Sequence, residues 1–259
     1  MSGAAAAELL AVRGVSKRFG RVVTATDVSF HVAAGEVLGV VGPNGAGKST
    51  MLDLVNGTQR PDAGAVLLDG EDVTALGAAQ RSRRGIGRTY QVPRPFAGLT
   101  VFENVLVGAS FAGGKRGREA HRAAVAAVET AGLTHVLNTD AGALRLLDRK
   151  RLELARALAT QPRLVLLDEI AGGLTEAELP QLVALIGDLR AAGLGVVWIE
   201  HIVHALLQVV DRLMCLATGV VVATGDPHEV MRSPEVVEVY LGSVPEAPEA
   251  ETEPGEARR

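Results

Sequence analysis

The sequence predicts an α/β fold built around a largely parallel β-sheet. Two observations lead to this prediction: short apolar runs alternate with helical stretches after residue 160, and a glycine-rich loop joins an apolar run to a helix near residue 42. Parallel strands need long connections, which helices usually supply. With 259 residues, of which 47% are hydrophobic, the chain is long enough for one large core, alone or with a smaller lobe.

The first third of the chain predicts antiparallel strands that lead into a central strand. Residues 9–40 alternate apolar and polar positions, with turn signals at Phe19-Gly20 and Ala34-Gly35. The apolar run Val37–Val41 is the expected first strand of the central sheet. A turn then precedes Ala65–Asp69, which we expect to be another strand.

The middle of the chain predicts a helical lobe inserted into the α/β core. Helical spacing of apolar residues is found at Val101–Ser110, Arg118–Ala131 and Arg149–Thr160. Strand-like runs then resume at Arg163–Leu167, Gly195–Ile199 and Arg212–Ala217, with helical stretches between them at Glu176–Ala192 and His204–Val210. We therefore expect a core of residues 1–91 and 161–242 and a helical subdomain of residues 92–160.

Composition limits the environment and the partners of the chain. Residues 243–259 are rich in Pro, Glu and Ala and are expected to form a disordered acidic tail. The net charge is −4, so no basic excess favours nucleic acid as a partner. Cys215 is the single cysteine and lies in an apolar run, as expected of a buried residue in a reducing compartment. No apolar run approaches the length of a membrane span.

A phosphate-binding loop is the strongest functional signal. It comprises Gly42, Pro43, Asn44, Gly45, Ala46, Gly47, Lys48, Ser49 and Thr50, between an apolar strand and an apolar helix. The glycines allow successive backbone N–H groups to point at phosphate oxygens. Lys48 supplies a cation for the outer phosphates, Ser49 a hydroxyl for Mg²⁺, and the helix N-terminus favours anions. The alternative is a glycine-rich turn with a chance Lys-Ser pair.

Two carboxylates end the next buried strand. The run Leu164–Leu167 is apolar, and Asp168 and Glu169 follow it. This places Asp168 at the carboxyl edge of the sheet, where α/β folds bind ligands. Asp168 can hold Mg²⁺ through water, and Glu169 can polarise an attacking water molecule. The alternative is a strand end with acidic turn residues.

Three further side chains are weaker candidates when taken singly. His201 follows Ile199-Glu200 at the end of the next strand, where it could contact a γ-phosphate. Gln91 precedes a proline-rich turn, and its amide could reach Mg²⁺ and water. Phe19 precedes the first central strand and could stack on a base. The alternatives are a structural histidine, a loop glutamine and ordinary core packing.

Taken together, these motifs resemble the nucleotide-binding subunit of ABC transporters, over nearly the whole chain to about Gly242. In the order of that family, Phe19 matches the adenine-stacking aromatic, Gly42–Thr50 the Walker A loop, Gln91 the Q-loop, Leu164–Glu169 Walker B with its catalytic glutamate, and His201 the switch histidine. Residues 100–109, 152–160 and 236–242 are similar to the branched-chain amino acid importers, the Liv-type ATPases.

The resemblance implies a fold, a reaction and cofactors. The fold is a P-loop NTPase (RecA-like) core with an antiparallel β subdomain and an inserted helical subdomain. The reaction is ATP hydrolysis with ATP and Mg²⁺ as cofactors. In it Ser49, Gln91 and Asp168 organise Mg²⁺, Glu169 activates water and His201 steadies the γ-phosphate.

The resemblance also implies partners and a location. The partners are transmembrane permease subunits, a second ATPase subunit in a homo- or heterodimer and, indirectly, a solute-binding protein. The location is the cytoplasmic face of a bacterial cell membrane. Alternatives are a soluble ABC-type ATPase that regulates or remodels a protein or nucleic-acid assembly, and a P-loop kinase or GTPase. The guanine-reading motif Asn-Lys-x-Asp is absent from the sequence.

One segment departs sharply from the family pattern. The signature loop, Leu-Ser-Gly-Gly-Gln, is replaced by Leu144–Asp148, with Arg145 for Ser, Leu147 for Gly and Asp148 for Gln. In the family, this loop contacts the γ-phosphate of ATP on the opposite subunit, so we expect a weakened contact. A structural role for Asp148 as helix N-cap is the alternative. Ile170 also replaces the usual Pro after Walker B, and Thr175 replaces an Asp or Asn.

Overall fold

The computed structural model describes residues 8–241. Its strands are β1 Glu8–Phe19, β2 Val22–Ala33, β3 Val37–Val41, β4 Ala63–Leu68, β5 Glu71–Asp72, β6 Ile86–Arg88, β7 Leu164–Asp168, β8 Gly195–Ile199, β9 Arg212–Ala217 and β10 Val220–Gly225. Its α-helices are α1 Lys48–Asn56, α2 Ala78–Arg83, α3 Val101–Val107, α4 Gly117–Thr130, α5 Leu146–Leu158, α6 Leu179–Ala191, α7 Val203–Leu206, α8 Pro227–Arg232 and α9 Pro234–Leu241. The acidic tail predicted for residues 243–259 lies outside the described residues.

The central sheet has six strands in the order β10-β9-β3-β8-β7-β6. β3 pairs in parallel with β8 and β9, and β7 pairs in parallel with β6 and β8. Every residue of β3, β7 and β8 is buried. Strands covered on both faces are continuously apolar, as these are. The predicted α/β fold with a largely parallel sheet is confirmed.

A smaller antiparallel sheet covers one side of this core. Its strand order is β2-β1-β4-β5, and β1 and β2 form a long hairpin. Side chains of this sheet, of α1 and of one face of the central sheet share a buried core, which includes Leu10, Val32, Val66, Leu38, Leu52 and Leu166. The predicted antiparallel strand system in the first third of the chain is therefore present, and it lies against the helix that follows the phosphate loop.

The chain between β6 and β7 forms three helices, α3, α4 and α5, which pack against one another. Their contact faces contribute small and aliphatic residues, including Val101, Val105, Ala120, Ala124, Leu152 and Ala155, to the second buried core. The helix expected to reach Ser110 ends at Val107 and continues as a π-helical turn, Gly108–Ala112. A Cβ at Gly108 would lie 2.7 Å from the carbonyl oxygen of Arg156, so glycine allows this turn to pack against α5.

Two other helices are shorter than the sequence predicts. α6 begins at Leu179 because the backbone N–H and the hydroxyl of Thr175 both donate to the Glu178 carboxylate, which holds the preceding residues in a turn. α7 ends at Leu206, and turns follow it. Within residues 8–241, the structure contains no helix of the length and apolar character needed to cross a membrane.

Candidate active site

The phosphate loop lies between β3 and α1, and its glycines are required by its geometry. Gly42, Gly45 and Gly47 have φ values of 147°, 79° and 98°. A Cβ at Gly42 would lie 1.9 Å from the carbonyl oxygen of Leu216, and one at Gly47 would lie 2.2 Å from that of Thr24. Any side chain at these two positions would clash with backbone. The loop can therefore curl tightly only with glycine here.

Lys48 begins α1, and its ammonium group lies inside the loop. Nζ donates to the carbonyl oxygens of Gly42 at 2.7 Å and Pro43 at 2.9 Å. Burial lowers the pKa of Lys48, and the nearby carboxylates Glu169 and Asp168 oppose that shift. The ammonium group is thus held at the loop by weak neutral acceptors. The phosphate oxygens of a nucleotide would be stronger partners for it.

Asp168 ends β7 as a buried carboxylate with one free oxygen. The side chain of Arg88 donates to Oδ2 at 3.3 Å, whereas Oδ1 has no hydrogen-bond partner within the described part of the chain. Burial raises the pKa of Asp168, and the charge and hydrogen bond of Arg88 oppose this shift. A buried carboxylate oxygen without a partner is costly, unless a cation or a donor is bound there in the working state.

The three predicted Mg²⁺ ligands line one cavity. Ser49, Gln91 and Asp168 all border a cavity of about 800 Å³ that residues of α2 and α5 also line. Among residues 8–241, no group of three His, Cys, Asp or Glu side chains could hold a metal ion. One carboxylate and one hydroxyl suit Mg²⁺, which usually takes its other ligands from water and substrate phosphates. The residues present therefore fit Mg²⁺ bound together with a nucleotide.

The three predicted catalytic side chains meet in space. Gln91 Nε2 donates to Glu169 Oε2, and His201 Nε2 lies 2.5 Å from Glu169 Oε1. Glu169 has φ of 49°, a left-handed conformation that a non-glycine residue adopts at a cost of about 1–3 kcal/mol. Its backbone N–H donates to the carbonyl of Ile199 at 2.9 Å, which fixes this strained position on β8.

Phe19 lies apart from these carboxylates, at the end of β1. The residue is 45% exposed, and Lys17 Nζ lies 5.3 Å from the ring centroid. The β1–β2 hairpin reaches the phosphate loop, since the carbonyl of Thr24 in β2 lies against Gly47. The structure thus places an exposed aromatic ring on the hairpin that borders the loop, where a base could stack.

The segment in place of the signature loop begins a helix. α5 starts at Leu146, and its N-cap is Arg145, which makes no side-chain capping bond. The reading of Asp148 as N-cap is therefore wrong, because Asp148 lies inside the first turn. Its carboxylate lies 3.8 Å from both Arg151 and His135. An acidic residue in the first turn still interacts favourably with the helix dipole.

Two buried charged residues near the site escaped the sequence analysis. Lys150 Nζ donates to the carbonyl oxygens of Gln91 at 3.1 Å and Glu169 at 3.4 Å. The Glu200 carboxylate accepts from the backbone N–H groups of Ala171 and His201. A signal for Lys150 was available: it lies on the apolar face of α5, three residues after Leu147.

Two family models match parts of the chain. A family model described as "ABC transporter" matches residues 25–172. A second model, described as "Branched-chain amino acid ATP-binding cassette transporter", matches residues 220–245.

Named relatives fall into two transport systems. The branched-chain amino acid transport ATP-binding protein BraF of Pseudomonas aeruginosa is 34% identical over 249 residues, which cover 90% of this chain and 98% of BraF. The lipopolysaccharide export ATP-binding protein LptB of Haemophilus influenzae is 35% identical over 234 residues, with 90% and 97% coverage.

Solved structures of ATP-binding cassettes superpose on the chain. The ADP conformation of the cassette MJ1267 gives a TM-score of 0.82 at 30% identity, covering 91% of this chain and 99% of MJ1267. The dimeric cassette MJ0796 bound to ADP and Pi gives 0.74 at 25% identity, with 84% and 98% coverage. The chain belongs to the ABC transporter family, as an ATP-binding subunit with ATPase activity.

Proposed function

We propose that this chain is the ATP-hydrolysing subunit of an importer for branched-chain or other amino acids. The observation that carries the hydrolytic part is the convergence of Gln91 and His201 on Glu169, beside the phosphate loop and Asp168. The match of residues 220–245 to the branched-chain amino acid family, together with BraF, supports the transport part. Similarity to LptB makes export the competing direction.

Binding of ATP would begin at the loop. The backbone N–H groups of residues 42–47 and the Lys48 ammonium would hold the phosphates, and Phe19 would stack on the base. Mg²⁺, held by Ser49, Asp168 and Gln91, would neutralise charge on the outer phosphates. These contacts would orient the terminal phosphoryl group toward Glu169.

Hydrolysis would involve a rearrangement at Glu169. Both of its carboxylate oxygens are occupied, one by Gln91 and the other by His201. A general base must lie within hydrogen-bond reach of the water molecule whose proton it accepts. We infer that nucleotide binding draws Gln91 or His201 away from the carboxylate, so that Glu169 contacts the attacking water molecule. His201 would then stabilise the γ-phosphate.

The exposed residues beside Gln91 are the proposed contact with the permease. They include Tyr90, Val92 and Arg94, which lie at the rim of the cavity that Gln91 borders. Because Gln91 contacts Glu169, a permease segment bound here would be separated from the catalytic carboxylate only by the Gln91 side chain. We place the subunit at the cytoplasmic face of a bacterial membrane, where a solute-binding protein would act only indirectly. We expect no nucleic-acid partner.

Reconstitution of the transporter tests this proposal. The chain would be purified with its permease subunits, a second ATPase subunit and the solute-binding protein, in liposomes. We expect leucine or another amino acid, presented with the binding protein, to stimulate ATP hydrolysis and to accumulate inside. Permease-bound ATPase activity that responds to lipopolysaccharide but to no amino acid would assign the chain to export.

A further inference from the structure

Arg88 is a buried cation that the roles assigned above do not use. It is the last residue of β6, three residues before Gln91, and its side chain is only 6% exposed. Burying a guanidinium group is costly unless it is paired and hydrogen-bonded. The partners of Arg88 therefore indicate why an arginine stands here.

The guanidinium group joins two carboxylates from different elements. One terminal nitrogen lies 2.5 Å from Asp53 Oδ1, and the other lies 3.3 Å from Asp168 Oδ2. Asp53 is on α1, the helix that begins at the phosphate loop, whereas Asp168 ends β7. Arg88 thus ties the phosphate-loop helix to the strand that carries the candidate metal ligand.

This tie sets the orientation of the Asp168 carboxylate. Oδ2 is held by Arg88, and Oδ1 is left without a partner within the described residues while Asp168 borders the cavity shared with Ser49. The backbone N–H of Asp168 also lies 3.4 Å from the Thr89 hydroxyl, next to Arg88. Fixing one oxygen in this way preorganises the other for a ligand.

We propose that Arg88 is a positioning residue for the metal-binding carboxylate, with Asp53 as its anchor. Arg88 holds Oδ2 of Asp168 and thereby leaves Oδ1 as the oxygen that would hold Mg²⁺. The inference rests on the proposed role of Asp168 in holding Mg²⁺. It adds that Arg88, a residue outside the motifs, sets the metal affinity through Asp168 and is itself held by the Asp53 carboxylate on the phosphate-loop helix.

Metal binding, rather than turnover, is the readout that separates positioning from a simple structural ion pair. Mn²⁺ affinity would be measured by electron paramagnetic resonance with a non-hydrolysable ATP analogue bound. We expect Arg88→Met to weaken Mn²⁺ binding about tenfold or more, as losses of outer-shell partners usually do. Affinity for the analogue without metal should not change. Arg88→Lys should recover only part of the loss, since a point charge cannot hold both carboxylates.

Asp53→Asn tests the same role through the anchor of Arg88, and it can be measured even if Arg88→Met does not fold. It should weaken Mn²⁺ binding less than Arg88→Met and should add nothing in the double variant, because both changes break one chain of contacts. The matched control is Arg163→Met, which removes an arginine paired with Asp69 at the opposite end of β7. It should leave Mn²⁺ affinity unchanged.

The outcomes separate failure of this inference from failure of the proposed function. Unchanged Mn²⁺ affinity in folded Arg88→Met or in Asp53→Asn, or full additivity of the two changes, would overturn the positioning role. If Asp168→Asn itself left Mn²⁺ affinity unchanged, the proposed role of Asp168 as a metal ligand would be wrong. The positioning role of Arg88 would then be wrong as well.

Discussion

Lys48 is held by two carbonyl oxygens of its own loop, which makes it a sensitive probe of the phosphate site. Lys48→Ala removes the one cation that the loop carries for the outer phosphates. Removing a preorganised charge-stabilising donor typically costs about 10²–10³ in turnover. We expect a loss of this size in ATPase rate, measured by phosphate release, together with weaker ATP binding. A variant that bound and hydrolysed ATP at the wild-type rate would exclude Gly42–Thr50 as the phosphate site.

Glu169→Gln should separate ATP binding from hydrolysis. The amide keeps the size of the side chain and can still contact Gln91 and His201, but it is a poor proton acceptor. General-base catalysis contributes about 10²–10⁴ in rate, so hydrolysis should fall by that range while ATP stays bound. Nucleotide retention after gel filtration would check this. Loss of ATP binding would show that Glu169 serves metal or structure instead.

At the scale of single residues, local motifs were predictable from the sequence and long-range contacts were not. The loop glycines and Lys48 follow one another in the chain, so spacing alone identifies them. Gln91 and Glu169 are distant in sequence, and only the β6–β7 pairing brings them together. Arg88 was missed because nothing in a single sequence shows that its charge is buried, whereas Lys150 was missed although its position on the apolar face of α5 was a signal.

Among the elements, α1 depends on a buried arginine from α2. Arg81 is fully buried, and it donates to the carbonyl oxygens of Leu54 at 2.6 Å and Val55 at 2.8 Å, near the C-terminus of α1. Burial lowers the pKa of Arg81 to about 10, so it remains charged at neutral pH. The arginine thus satisfies helix-end carbonyls that would otherwise be buried without donors.

Arg81→Leu should therefore destabilise the fold substantially. Leaving two buried acceptors unsatisfied costs about 2–6 kcal/mol at the usual 1–3 kcal/mol for each. Arg83→Leu is the matched control, since Arg83 is exposed on the same helix. Urea unfolding should show a clear loss of stability for Arg81→Leu and a change within about 0.5 kcal/mol for Arg83→Leu. Equal midpoints for the two variants would contradict this account.

The elements that sequence reasoning missed have local causes. β10 was not predicted, although Thr218 and Gly219 both have positive φ, as a tight two-residue hairpin requires. Threonine is rarely found at positive φ, so Thr218 gives no sequence signal for this turn. The long helices α4 and α5 were found because their apolar spacing extends over several turns.

At the scale of the whole molecule, the fold was predictable because its strongest signals agree. Continuous apolar strands indicate a covered parallel sheet, and the phosphate loop marks the edge where its ligand binds. The order of the six strands was not predictable, since periodicity identifies strands without identifying their neighbours. That order places β3 between β8 and β9, and so brings His201 and Asp168 to the same edge as the loop.

The segment Leu144–Asp148 bears on how two ATPase subunits would work as a dimer. The related cassette MJ0796 has a dimeric structure with ADP and Pi bound. The resemblance to the family implies that each ATP in such a dimer would lie between the phosphate loop of one subunit and the signature loop of the other. In this chain Leu147 is buried, and Asp148 brings negative charge to the start of α5. Where the family has glycine, the bulk of Leu147 would hinder close approach of the backbone to a phosphate group. The Asp148 carboxylate would repel that phosphate group.

We therefore expect two unlike sites when this chain pairs with a subunit that has an intact signature loop. ATP on Lys48 of this chain would meet the intact loop and be hydrolysed, whereas ATP on the partner would meet Leu144–Asp148 and turn over slowly. In a reconstituted heterodimer, Glu169→Gln should remove most ATPase activity, and the matching change in the partner should remove little. A homodimer of this chain should be a weak ATPase, because both of its sites would contain the altered segment. Equal losses from the two changes, or robust homodimer activity, would show that Leu144–Asp148 functions as a signature loop.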